Sequence, residues 1–349
     1  MKKMEKTTRF ARTLLATVAG LTVAGLAQAG EVEVLHWWTS GGEAKAASAL
    51  KATLQSKGHS WKDFAVAGGG GDSAMTVLKS RVVSGNAPAA AQIKGPSLQE
   101  WASEGVLANI DDVAKAEKWD SLLPPVVANV MKYKGSYIAA PVNVHRVNWL
   151  WANPEVFKKA GAKVPTTWDE FFVSAEALKK AGIIPVAHGG QPWQDFTTFE
   201  SVALGVGGTD FYKKALVQLD QATLKSATMD KVLETFRKVK GYTDKNAPGR
   251  DWNLATAMVI KGEAGMQLMG DWVKGELSAG NYRPGEDIAC LPSPGSAGLF
   301  SYNLDSIAMF KQRDPAQLQA QGELARLLMT PRFQEEFNRV KGSIPALTQ

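Results

Sequence analysis

The first folded stretch of the chain reads Glu31-Val-Glu-Val-Leu-His-Trp-Trp-Thr-Ser-Gly-Gly-Glu43. Its β-branched residues predict a short strand that carries two adjacent tryptophans, Trp37 and Trp38, into a turn containing two glycines. Each tryptophan offers a large apolar face and one N–H donor, and Glu43 adds a carboxylate at the end of the turn. This combination is typical of a site for a flat ligand with polar edges, such as a sugar ring.

The two tryptophans reach one ligand only if the chain leaves the extended conformation, because neighbouring residues of a strand point to opposite faces. Gly41 and Gly42 make such a turn accessible, since glycine adopts conformations that other residues avoid. The alternative is that the tryptophans are ordinary core residues packed behind the strand. The residues alone leave both interpretations open.

Strands and helices alternate in the pattern that follows. Strands are predicted at 32–36, 63–67 and 89–93, and helices with apolar residues at helical spacing are predicted at 43–57 and 73–84. This order predicts an α/β protein with a mainly parallel sheet covered by helices on both faces. Further along, Thr167-Trp-Asp-Glu170 has the form of a capping box and predicts a helix through about residue 180.

An export signal is predicted at residues 1–29. Five basic residues precede an apolar run at 14–26, and the small-residue site Ala27-Gln28-Ala29 follows it. The run is shorter than the roughly 20 residues of a membrane-spanning helix. We therefore expect cleavage after Ala29 and a mature protein in the periplasm. The single cysteine, Cys290, lies far from that site, which argues against a lipid anchor there.

Charge and length narrow the class of protein further. Removing the signal, with its five Lys and Arg and one Glu, lowers the formal charge from +6 to +2. The remaining basic residues are interspersed with acidic ones, so neither a nucleic acid nor a membrane surface is an expected partner. The remaining length exceeds that of a usual single domain, which predicts two lobes with a ligand cleft between them.

Two enzyme-like features are weak. The glycine run at 68–71 lies between a strand and a helix, but it lacks the Gly-Lys-Ser/Thr ending of a phosphate loop, so a close approach of the chain to the cleft is the better interpretation. The four histidines, at 36, 59, 145 and 188, show no metal-ligand spacing. No metal and no cofactor are expected.

A set of short motifs resembles a known family. They are Ser84-Gly-Asn-Ala-Pro88, the segments 137–141 and 153–161, Pro165-Thr-Thr-Trp-Asp-Glu170, Gly262-Glu-Ala-Gly-Met266, Gly270-Asp-Trp272 and Gly342-Ser-Ile-Pro345. Their order and spacing resemble the extracytoplasmic sugar-binding proteins of ABC importers, solute-binding protein family 1. The adjacent tryptophans narrow the resemblance to proteobacterial glucose- and mannose-binding proteins.

This resemblance implies a two-lobed periplasmic-binding-protein fold of type II with three interlobe crossings, near 141–144, 291–294 and 344. It assigns 30–142 and 293–343 to an N-terminal lobe and 143–292 to a C-terminal lobe. Family members usually continue for several tens of residues beyond the Gly-x-Ile-Pro element. We therefore expect that this sequence, which stops at 349, is truncated and lacks the final helices, leaving an apolar face of the second lobe exposed.

The resemblance also implies a ligand site. Positions that bind sugar hydroxyls are matched by Glu43, Lys94, Asp305 and Lys341, and a surface or capping role is the alternative for each of these charged residues. The stacking pair is matched by Trp37 and Trp38. The aromatic wall of the second lobe is matched by Trp272, for which a hydrophobic plug is the alternative. Asn303 and His145 lie near the predicted crossings; Asn303 completes the predicted ligand set, whereas His145 is expected to bond within the hinge.

The expected function is capture of a monosaccharide, glucose first, and its delivery to the membrane permease of an ABC importer. The protein is expected to be a monomer and no enzyme, and a chemoreceptor is a further potential partner. Two alternatives stay open. An oligosaccharide would need more aromatics, which Trp151 or Trp193 could supply, and a secreted glycosidase would use Glu43 and Asp305 as its carboxylate pair.

Overall fold

The computed structural model describes residues 29–348. Except for Ala29, the predicted export signal lies outside these residues. Within them, no helix combines the length and the apolar character needed to cross a membrane. The architecture is α/β, as predicted.

Eleven strands are present among the described residues. They are β1 (Glu31–His36), β2 (Ser60–Ala65), β3 (Ala90–Lys94), β4 (Lys132–Tyr133), β5 (Ser136–Tyr137), β6 (Ala139–Arg146), β7 (Trp149–Ala152), β8 (Ile184–Val186), β9 (Ala264–Leu268), β10 (Ala289–Pro292) and β11 (Tyr302–Met309).

The same residues form fifteen α-helices. They are α1 (Gly41–Gln55), α2 (Asp72–Val83), α3 (Ser97–Ser103), α4 (Asp111–Ala116), α5 (Trp119–Leu122), α6 (Pro125–Val130), α7 (Pro154–Lys159), α8 (Trp168–Lys180), α9 (Pro192–Tyr212), α10 (Gln221–Leu224), α11 (Ala227–Lys240), α12 (Trp252–Ile260), α13 (Val273–Ala279), α14 (Pro315–Leu328) and α15 (Pro331–Lys341). A 3₁₀ turn at Gly69–Gly71 precedes α2, and a π-helical turn at Lys213–Val217 follows α9.

The first lobe is built on a five-stranded sheet in the order β2-β1-β3-β11-β6. Strands β1, β2 and β3 are parallel, as the alternating pattern predicted, and the later strand β11 joins antiparallel to both β3 and β6. One continuous hydrophobic core packs this sheet against its helices. The carboxyl ends of the parallel strands, where ligands of open α/β sheets bind, face the second lobe.

The second lobe has a four-stranded sheet in the order β10-β7-β9-β8 with its own hydrophobic cores. The predicted capping box is confirmed at the start of α8, where Thr167 Oγ1 accepts from Glu170 N at 3.2 Å and Glu170 Oε2 accepts from Thr167 N at 3.2 Å. These contacts satisfy N–H groups that the first helical turn leaves free.

The chain passes between the sheets at two places. Strand β6 is paired with β11 from Ala139 to Arg146, apart from a bulge, so the first sheet extends to Arg146; the lobe boundary at 142 stays a prediction. The chain then enters the second sheet at Trp149 and returns between Pro292 and Tyr302. Near the predicted third crossing, Ile344 forms a bridge with Val144, and Thr348 N donates to Leu122 O at 3.0 Å. The described end of the chain therefore lies on the first lobe.

Glycines let three helices from the two lobes approach closely. A Cβ placed on Gly42 of α1 would lie 2.7 Å from the backbone of Gly275 of α13, and one on Gly275 would lie 2.9 Å from the carbonyl oxygen of Lys341. The amide of Gly42 also donates to Glu276 Oε1 at 2.9 Å. Only residues without a side chain fit this contact between α1, α13 and α15.

We expect Gly42→Ala to lower the free energy of unfolding by about 1–3 kcal/mol, because overpacking a tight contact forces the backbones apart. Gly41→Ala is the matched control, since its added carbon would meet only Glu276 Oε2, at 3.7 Å, at the same helix end. Both variants share the intrinsic helix preference of alanine over glycine, about 1 kcal/mol, so the comparison isolates the effect of packing. Urea unfolding of both variants measures the difference, and equal stabilities would contradict the proposed packing constraint.

Candidate functional site

A cavity of about 1030 Å³ lies between the lobes. The first lobe lines it with Trp37, Glu43, Lys94, Asp305 and Lys341, and the second lobe lines it with aromatic residues and one buried carboxyl group. Its volume lies at the upper end of the range for small-molecule sites, about 300–1,000 Å³. It is the expected place for a ligand that contacts both lobes.

The structure brings seven of the eight predicted site residues together around this cavity. Those seven are Trp37, Glu43, Lys94, Trp272, Asn303, Asp305 and Lys341. Trp38 departs from the expectation: it is 1% exposed and packs edge-on against Phe337 at 5.2 Å in the first lobe's core. The reason is the alternation of side chains after β1, which sends Trp37 to the cleft and Trp38 to the core.

Pairing between strands sets the polar floor of the cavity. Lys94 and Asp305 are direct partners in the antiparallel pair β3–β11, and Asn303 is the partner of His145 in β11–β6. Directly opposed residues share a face of a sheet, and so do residues two apart in a strand. A register shift after Asp305 marks a bulge, a feature that re-aims side chains near sites.

Glu43 and Lys341 form a buried ion pair at one side of the cavity. Lys341 Nζ lies 2.9 Å from Glu43 Oε1, and the two residues are 3% and 8% exposed. Glu43 stands in the first turn of α1 and Lys341 in the last turn of α15, where the helix dipoles favour a negative and a positive charge respectively. Each residue thus holds the other in place at the wall of the cavity.

Lys94 connects the glycine run to the cavity. Its Nζ donates to the carbonyl oxygen of Gly70 at 2.6 Å, and the ammonium lies 5.7 Å from the ring centre of Trp37. A Cβ on Gly70 would meet the ring of Trp193 at 2.6 Å, so the loop comes close to the second lobe, as its glycines predicted. Burial lowers the pKa of Lys94 below its usual value, while Asp305 opposes that shift.

A buried histidine joins two aspartates at the hinge. His145 Nδ1 lies 2.6 Å from Asp271 Oδ1 in the second lobe, and its Nε2 lies 3.1 Å from Asp305 Oδ2. Burial alone would lower the pKa of His145, but the two carboxylates outweigh it and raise that pKa. Conversely, burial would raise the pKa of Asp305, and the hydrogen bond from His145 and the charges of His145 and Lys341 lower it. We infer an imidazolium between two carboxylates.

The second lobe contributes an aromatic wall and a carboxyl group. Trp272 packs edge-on against His145 at 5.1 Å between ring centres, and Trp193 lies 6.2 Å from Trp272. The indole N–H of Trp272 is buried and has no hydrogen-bond partner among residues 29–348. On α9, Glu200 is 9% exposed and its Oε2 accepts from Tyr212 OH at 2.7 Å.

Sequence reasoning missed two polar residues of this site. Asp271 stood inside the quoted Gly270-Asp-Trp272 motif, but nothing local predicted its histidine partner, which lies 126 positions away in sequence. Glu200 did have a signal in the sequence, because it follows Trp193 by two helical turns and so shares a helix face with it. His145, expected to bond within the hinge, does so.

The contacts of Glu43 and Asp305 do not fit the acid-and-base pair considered for a glycosidase. Asp305 has a lowered pKa and is ionised, whereas a glycosidase needs one carboxylic acid with a raised pKa. Glu43, the other carboxylate of the proposed pair, is bound to Lys341. Among residues 29–348, no group of three or more His, Cys, Asp and Glu is arranged to hold a metal ion.

Two α/β lobes joined at a hinge, with charged and aromatic side chains converging between them, define a two-lobed ligand-binding protein. The model of the family described as "Bacterial extracellular solute-binding protein" matches residues 37–312, and the chain belongs to this family.

Individual relatives agree with this assignment. A protein of Brucella suis biovar 1 (strain 1330), named "Probable sugar-binding periplasmic protein", is 49% identical over 352 residues, covering 100% of this chain and 82% of the relative. The solved structure of the bacterial solute receptor AcbH, described with a preference for b-D-galactopyranose, has a TM-score of 0.75 at 19% identity and covers 91% of this chain and 81% of its own. A "Chitin oligosaccharide binding protein" has a TM-score of 0.76 at 18% identity, covering 92% and 82%. At these identities both structures support the fold alone.

The His145 network makes stability depend on pH. Because the pKa of His145 is raised above 6.5 in the folded protein, its contribution is complete below about pH 6.5 and is lost as the pH rises through the folded-state value. We therefore expect wild-type protein to lose more stability than His145→Gln between about pH 6 and pH 9, measured by urea unfolding.

His188→Gln is the matched control for this measurement. His188 is also a buried histidine bonded to an aspartate, Asp195, at 2.6 Å, but burial lowers its pKa. The His188→Gln variant should therefore lose as much stability above neutral pH as the wild-type protein does. Identical pH profiles for wild type and His145→Gln would contradict the imidazolium assignment.

Proposed function

We propose that this protein is the periplasmic sugar-binding component of an ABC importer and that it binds a monosaccharide, glucose being the first candidate. The observation that carries the proposal is the convergence of Glu43, Lys94, Asp305 and Lys341 beside Trp37 and Trp272 in one interlobe cavity. The name of the Brucella suis relative supports the same ligand class and compartment.

The chemistry of these groups suits a hexose. Charged partners form the stronger hydrogen bonds, worth roughly 1.5–3 kcal/mol each, and both ammonium groups and carboxylates are available for hydroxyls. An indole face packs against the C–H face of a pyranose. A sugar that lacks a matched hydroxyl would leave a buried charged group without its partner, which is how such a site selects one sugar over another.

Capture proceeds by closure of the lobes around the ligand. Sugar contacts with both lobes favour the closed conformation, and the closed protein then docks on the permease, whose ATPase partner powers uptake. In this proposal the protein itself carries out no chemical step. Export by the N-terminal signal places it in the periplasm, where it acts as a monomer.

A second candidate ligand is an oligosaccharide. The cavity volume of about 1030 Å³ and the presence of Trp193 in its wall favour a ligand longer than one ring. Trp151, the other aromatic considered for this role, is 1% exposed and donates its N–H to Met269 O at 2.8 Å, so it is unavailable to a ligand.

We expect tight one-to-one binding of a hexose in isothermal titration calorimetry of the protein from residue 30 onward, with D-glucose, D-mannose, D-galactose and maltose compared. Trp37→Ala and Lys94→Met should each weaken hexose binding by about tenfold or more, from lost stacking and a lost charged hydrogen bond. Tighter binding of maltose than of any hexose would favour the oligosaccharide alternative.

Two control variants separate binding from folding. Lys62→Met removes an exposed lysine paired with Glu33 away from the cleft and should leave affinity unchanged. Trp38→Ala should instead cost about 3–5 kcal/mol of stability, since it empties a buried site. No heat from any of the four sugars with a folded wild-type sample would contradict the proposed function.

A further inference from the structure

Closure needs ligand contacts on both lobes, yet the charged groups predicted for the cavity all belong to the first lobe. A ligand that binds one lobe only gains nothing from closing the hinge. The second lobe lines the cavity mainly with aromatic and aliphatic side chains of α9, α12 and the segment after β9. Its buried ionisable side chain in the cavity is Glu200.

Glu200 lies on the face of α9 that lines the cavity. Trp193, Thr197, Glu200 and Leu204 follow each other at intervals of four, three and four residues and share one face of the helix. Because a helix rises 1.5 Å per residue, Glu200 lies roughly 10 Å along the axis from Trp193. The helix thus presents an indole and a carboxyl group in line along the cleft.

One oxygen of this carboxyl group is available to a ligand. Tyr212 OH donates to Oε2 at 2.7 Å, whereas Oε1 has no donor among the described residues. Tyr212 therefore fixes one oxygen of the group and leaves Oε1 without a donor among the described residues, in a side chain that lines the cavity.

We propose that Glu200 is the polar ligand contact of the second lobe, and that its free carboxyl oxygen accepts a hydrogen bond from a sugar hydroxyl in the closed cleft that also contains Lys94. The proposal rests on the proposed function, since it assigns a further specificity-determining residue to the same site. A sugar held in this way is bound by hydrogen bonds from both sides of the hinge.

The charges around Glu200 support this role. Burial raises its pKa to about 7, with the Tyr212 hydrogen bond and the Lys94 charge opposing the rise. Tyr212, with a raised pKa, stays neutral, and Tyr302 faces it from the crossing segment. At neutral pH Glu200 thus changes readily between its two forms. A donating hydroxyl favours the ionised form, so affinity should increase as the pH rises from 6 to 8.

The decisive experiment is a cycle of protein variants and deoxy sugars. The hexose that binds wild type most tightly is compared with its monodeoxy derivatives, each titrated into wild type and Glu200→Gln. We expect Glu200→Gln to weaken binding of the parent hexose by about tenfold or more. For one deoxy derivative, the two proteins should bind with nearly equal Kd, because the partner hydroxyl is already absent.

Glu176→Gln is the matched control, because Glu176 also accepts from a tyrosine, Tyr242 OH at 2.7 Å, in the same lobe but at an exposed position outside the cavity. Its Kd should equal that of wild type. Melting temperatures show that each variant is folded. The pH dependence of Kd in the wild-type protein is a second readout, which needs no variant. Dividing the Kd of Glu200→Gln by that of wild type at each pH removes the effect of His145, which titrates in both proteins.

Equal Kd values for wild type and Glu200→Gln, with additive effects at every deoxy position and no difference in pH dependence, would overturn the proposal while leaving sugar binding intact. Absence of hexose binding by folded wild-type protein would overturn it together with the proposed function. The two failures are therefore distinguishable.

Discussion

The buried contact of His145 with Asp271 and Asp305 is the interaction on which the arrangement of the lobes depends. Asp271 belongs to the second lobe, and its Oδ2 also accepts from Arg146 N at 2.9 Å, while Asp271 N donates to Arg146 O at 2.9 Å. Two buried carboxylates at this place require a cation between them, because an unpaired buried charge costs several kcal/mol. The imidazolium therefore fixes the end of β6 against the second lobe.

The same contact prepares the ligand site. Asp305 cannot rotate away from the cavity without losing His145, and its neighbour Lys94 is bound to the carbonyl oxygen of Gly70. Glu43 and Lys341 are likewise bound to each other. Side chains that are already oriented lose little conformational entropy when a ligand arrives, so more of each hydrogen bond contributes to affinity. In the proposed function, selectivity among sugars follows from the fixed directions of these groups.

Local patterns predicted the first strands and helices of the first lobe and singled out Trp37, Trp38 and Glu43, because alternation and helical spacing are properties of neighbouring positions. The resemblance to a known family supplied Glu43, Lys94, Asp305 and Lys341, which no local pattern connects. Long-range pairing was beyond local sequence reasoning, because the registers that join β11 to β3 and to β6 bring together residues that are far apart in sequence, such as Asp305 with Lys94 and Asn303 with His145. Alternation predicts that Trp37 and Trp38 point to opposite faces, but it does not predict which of the two faces the cleft, and the two glycines that follow also allowed a turn that would bring both to it.

The two lobes contribute different groups to the site, and closure at the hinge brings these groups together around a ligand. In the first lobe, Glu43 is paired with Lys341 and Asp305 with His145, and Lys94 donates to the carbonyl oxygen of Gly70, so each of these charged groups has a partner without a ligand. The second lobe adds indole rings, whose contribution depends on removing water from both the ring and the sugar. Closing the cleft therefore removes water from the preformed hydrogen bonds and strengthens them, because the local dielectric constant falls. A polar ligand therefore stabilises the closed conformation, which the apolar wall alone would not favour over the open one.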